Sequence, residues 1–78
     1  MAHTTHLHLH EAFLIRRVLH WHHQTQPGAL ALITMAPHTT LRLLRREQHH
    51  VHWCPPGERG VTMPLDEAVQ RLRMLRAG

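Results

Sequence analysis

Lysine and tyrosine are both absent from this 78-residue chain, and cysteine and phenylalanine occur once each. A single thiol, Cys54, excludes an intrachain disulfide and suits a reducing compartment better than an oxidising one. No apolar run approaches the roughly 18–20 residues that a membrane-crossing helix needs. The N-terminus shows no Arg-flanked apolar stretch ending in a small-residue cleavage site, so export is not expected and the cytoplasm is the default location. No phosphate-cradling glycine loop or nucleophile elbow is present, and no enzyme activity is expected.

Acidic residues are also few: five Asp and Glu stand against nine Arg, for a formal charge of +4 with histidine neutral. That balance favours acidic partners, nucleic acid among them. What the chain has in excess is histidine, eleven in all. Full protonation would add eleven charges, so the surface field depends strongly on acidity.

At this length the chain makes one domain, residues 1–78, with a thin core. It buries only about 60–65% of its unfolded surface, and such domains are often supported by a metal or by oligomerisation.

Thr4 to His10 alternates polar and apolar residues, as a half-buried strand does. A helix capped at Thr4 or Thr5 competes with that reading. From Glu11 to Gln24 the period is helical, with Leu14, Ile15, Val18, Leu19 and Trp21 in one stripe and Arg16, Arg17, His20 and His23 opposite. Pro27-Gly28 ends it. Ala29 to Met35 is a short apolar run, expected to be a strand buried on both faces. Thr39 to Arg46 and His49 to Cys54 follow as strands, Val61 to Met63 as a further extended segment. Pro64 opens a last helix, expected to reach about Arg76, with Asp66 and Glu67 at its positive end and Arg71, Arg73 and Arg76 near its negative end.

The expected fold is therefore α+β: a small antiparallel meander of three to four strands with two helices on one face, in the order (β)αβββα. Helix, three strands, helix is also the element order of double-stranded-RNA-binding domains. The likeness stops at element order, because their final helix opens with lysines and this one with Asp66 and Glu67.

Three candidate surfaces follow. His6, His8 and His10, and likewise His50, His52 and Cys54, recur at every second residue, so each row projects from one face of a strand. Their imidazole and thiolate donors suit zinc or copper. A flat row of three spans about 13 Å, however, so its members do not easily converge on one ion. Arg42, Arg45, Arg46 and Arg59, interleaved with His50 and His52, form the candidate nucleic-acid surface. Such platforms usually expose Phe or Tyr, whereas Phe13, Trp21 and Trp53 are assigned here to the core. Cys54 and His52 stand about 7 Å apart at strand rise, too far for direct proton transfer. The third surface is the outer edge of the first strand, with Met35, Met63 and Met74 as adaptable apolar contacts.

The sequence thus points to a small non-catalytic binding or assembly module that forms homodimers through a sheet edge at Thr4 to His10, with no cofactor required. The alternatives are nucleic-acid binding through the Arg/His sheet face and transition-metal binding through the His/Cys rows.

Overall fold

The computed structural model describes residues 4–9, 13–35 and 41–74. In chain order these form β1 (Thr4–Leu9), α1 (Leu14–Gln24), β2 (Leu30–Met35), β3 (Leu41–Arg46), β4 (His50–Trp53), β5 (Val61–Pro64) and α2 (Leu65–Met74). The strands make one sheet in the order β1-β2-β3-β4-β5. The α+β class matches expectation, but the sheet has five strands, not three or four, and is mixed, not antiparallel. Two features account for the difference. The segment 4–9 reaches β2 only by way of α1, and a strand that returns through a helix pairs parallel, Thr4 with Leu30 and Leu9 with Met35. Val61–Pro64 pairs antiparallel with β4 as a full edge strand. The expected helix positions 11–12 and 75–76 lie outside the described residues.

Register places the buried side chains on one face. Leu7 lies beside Ile33, Ala31 opposite Leu44, and Val51 opposite Met63. All are buried, together with Trp53. Leu14, Val18 and Trp21 of α1 and Ala68, Val69 and Leu72 of α2 complete this single core, so both helices cover the same face. In each helix the positions recur at three and four residues. Leu19 and Phe13 depart from expectation: the sequence pattern puts both in the interior, and both are exposed, Phe13 at 54%. Met63 is likewise core and not a surface contact, whereas Met74 is 75% exposed.

α1 ends where two of its last carbonyls find donors. Thr25 Oγ1 donates to the Trp21 oxygen at 2.7 Å, and Arg46 Nε donates to that of His22 at 2.7 Å. The chain then turns through Gly28, at φ 98°, where a side chain would be strained. Inside the core, the Trp53 indole N–H donates to the Met63 sulfur at 3.4 Å. Among the described residues no helix is long and apolar enough to cross a membrane.

Candidate binding surface

The face of the sheet away from the helices is not covered by any described element. The same registers that bury the core side place Thr4, His6 and His8 beside Leu30, Leu32 and Thr34, and Leu32 opposite Leu43. Arg45 lies opposite Leu30 on one side and His52 on the other, and Thr62 follows on β5. Leu43 is 52% exposed, and Leu30 and Leu32 are half-buried. β2, expected to be buried on both faces, is therefore fully buried on one only, at Ala31 and Ile33. The open face has an apolar middle flanked by imidazoles and one guanidinium.

The structure divides the candidate nucleic-acid residues between surfaces. Arg45, His50 and His52 belong to the open face. Arg42 and Arg46 have the other parity in β3 and lie on the helix side, where Arg46 holds the α1 carbonyl. Arg59 is exposed in the loop after β4. Arg45 is engaged with Glu47 at 2.9 Å, an exposed pair of small energetic weight.

The metal candidates are also spread out. His6 and His8 sit on β1 and His50 and His52 on β4, three strand spacings away, or about 14 Å. His10 lies outside the described residues. Among the described residues no three His, Cys, Asp or Glu side chains are grouped as a metal site would require. His52 Nδ1 instead lies 2.9 Å from Thr62 Oγ1. Cys54 is exposed. Gly60 passes close to both: a Cβ there would stand 3.0 Å from His52 Nε2 and 3.3 Å from Cys54 Sγ.

Among the described residues His22 is the one buried polar side chain, 5% exposed near the end of α1. Its Nε2 lies 3.1 Å from the His50 carbonyl oxygen, and since a carbonyl only accepts, Nε2 is the protonated nitrogen. Burial pushes its pKa below the usual histidine value. The hydrogen bond to His50 opposes that shift, and the neighbouring charges of Arg46 and His49 add to it.

The sheet's two outer edges differ. β5 is four residues long, ends in Pro64 and runs directly into α2. β1 is six residues, Thr-Thr-His-Leu-His-Leu, without proline, glycine or a permanently charged side chain. Beside it, β1 and α1 enclose a groove of about 510 Å³ lined by Thr5, Leu7, Arg16, Arg17, His20 and Trp21, among others. In sequence the cationic wall of this groove is simply the side of α1 opposite its apolar stripe. Only the placement of β1 alongside that helix reveals it as part of a concave site.

Comparison with protein-family models, with curated proteins and with solved structures finds no match.

Proposed function

We propose that this chain is a small non-catalytic assembly module that self-associates by pairing β1 with β1 of a second copy, antiparallel across a twofold axis. The observation that carries the reading is the contrast between the two edges. β5 is short and blunted by proline, while β1, six residues long, leaves the outward-facing half of its backbone donors and acceptors with none of the usual guards. Pairing would join two five-stranded sheets into one. A domain of this size also gains from sharing surface, and twofold symmetry is the commonest way to do so. The exposed thiol of Cys54 fits work in a reducing compartment.

Sedimentation velocity over a range of concentrations tests the pairing. The expected result is a dimer that His6→Lys with His8→Lys converts to monomer, because paired antiparallel edges would bring those positions together as like charges. A monomer at every concentration, or a dimer indifferent to the double change, rejects the β1 interface.

A second reading is supported by the electrostatics of the open face, where Arg45, His6, His8, His50 and His52 stand with Glu47 as the one nearby acidic side chain among the described residues. That arrangement suits phosphate contacts from a single nucleic-acid strand.

A further inference from the structure

We infer that the groove between β1 and α1 takes an extended acidic segment of another protein, which adds to the outer edge of β1 as a strand. The inference rests on the reading of β1 as an open pairing edge and names the chemistry of a partner other than a second copy.

The wall of the groove is cationic, and no acidic side chain lines it among the described residues. Arg16, Arg17 and His20 lie within about one turn of α1, so they crowd one stretch of its surface. Neither β1 nor α1 contains an Asp or Glu. Elsewhere two of the acidic residues are engaged, Glu47 with Arg45 and Glu58 with Arg71. Arg16 and Arg17 have no ion pair or hydrogen bond among the described residues. The floor, in contrast, is apolar, formed by Leu7 and Trp21, and the Trp21 indole N–H is buried there with no acceptor among the described residues.

A strand laid against β1 presents alternate side chains to the helix side, about 6.7 Å apart. Acidic residues at those alternate positions would meet the arginines, while the backbone would satisfy the edge. This division of labour, with main-chain bonds giving affinity and alternate side chains giving specificity, is the usual logic of strand addition. Charge also ranks the occupants. A second copy's β1 brings no negative charge, and its own α1 would set Arg16, Arg17 and His20 facing their counterparts. An acidic strand removes that repulsion, so it should displace self-pairing.

The test uses the full chain and two labelled eight-residue peptides, one alternating Glu with Val and one alternating Lys with Val, read by fluorescence anisotropy. The acidic peptide is expected to bind at least tenfold more tightly than the basic one and to shift the dimer toward one peptide per chain. Arg16→Glu with Arg17→Glu should invert the preference, an outcome an unfolded variant cannot give. Equal binding of the two peptides, or a preference unmoved by charge reversal, overturns the inference. So does tighter binding of a single-stranded oligonucleotide of equal charge at the same residues, which would assign the groove to nucleic acid. If His6→Lys with His8→Lys abolishes the dimer while no acidic peptide binds, this inference fails and the self-pairing reading stands. If that double change leaves self-association unmoved while Arg16→Glu with Arg17→Glu still inverts the peptide preference, the self-pairing reading fails and this inference stands.

Discussion

The imidazole of His22, near the end of α1, donates from Nε2 to the backbone oxygen of His50 at the start of β4, 3.1 Å away. The bond joins a helix terminus to the first residue of β4, and it is made by a residue whose pKa burial lowers. Because the folded state binds the proton less readily than the unfolded chain, acid favours unfolding. The contribution is fully present above about pH 6.5, the unfolded value, and is lost as pH falls from there through the lowered folded value. His22→Gln keeps an N–H within reach and removes the titration. Thermal melts at a series of pH values should show the wild type losing more stability on acidification than His22→Gln; parallel profiles would contradict the assignment.

Met63 is tied to Trp53 by more than volume. Its sulfur accepts the indole N–H at 3.4 Å. Met63→Leu conserves size, a change that alone costs less than about 1.5 kcal/mol. It also strands a buried donor, at a further 1–3 kcal/mol or so. Chemical denaturation should therefore place the variant nearer 2 kcal/mol than zero, with Trp53 emission shifted.

Leu72 is fully buried where α2 meets the rest of the core. Leu72→Ala should cost about 2–4 kcal/mol. In a domain this small that lowers the melting temperature by more than about 10 °C. An unmoved melting temperature would mean α2 does not pack as described.

Arg45 and Arg46 are neighbours in sequence with opposite duties. If the open face binds a nucleic-acid strand, Arg45→Ala should reduce the slope of log affinity against log salt by about one unit. Arg46→Ala removes the donor to the His22 oxygen at 2.7 Å and should reduce stability before it reduces affinity. Paired salt titrations and melts on the two variants separate these roles.

Much of this architecture can be read from residue periodicity. The stripe Leu65, Ala68, Val69 and Leu72 announces α2, and Val51 and Trp53 announce the buried side of β4. Alternation over Thr4–Leu9 announces a strand but not its neighbour, which lies 26 positions away through α1. β3 is harder: Leu41-Arg42-Leu43-Leu44-Arg45-Arg46 places leucine and arginine at both parities, so the pattern does not say which arginines face solvent. Only the register, with Leu44 opposite Ala31, separates Arg45 from Arg42 and Arg46. β5 shows in sequence only as an extended segment over Val61 to Met63, and its place as an edge strand does not, because Val61-Thr62-Met63-Pro64 is too short for its period to show. The groove escapes for a different reason. A cationic helix side looks solvated until another element is placed beside it.

The parallel pairing of β1 with β2 also carries a kinetic consequence. β2 through β5 form successive hairpins whose partners are close in sequence, and these contacts close small loops. β1 must wait for α1 to form and lie down before its six residues reach β2, a closure that costs more chain entropy. The β1 amides should therefore gain protection last during refolding and lose it first during native-state hydrogen exchange. A chain in which β1 is briefly undocked exposes the inner edge of β2 as well as its own. At high concentration β1 of one molecule can then seat on β2 of another, so the crossover makes exchange of that strand between chains the characteristic misfolding route.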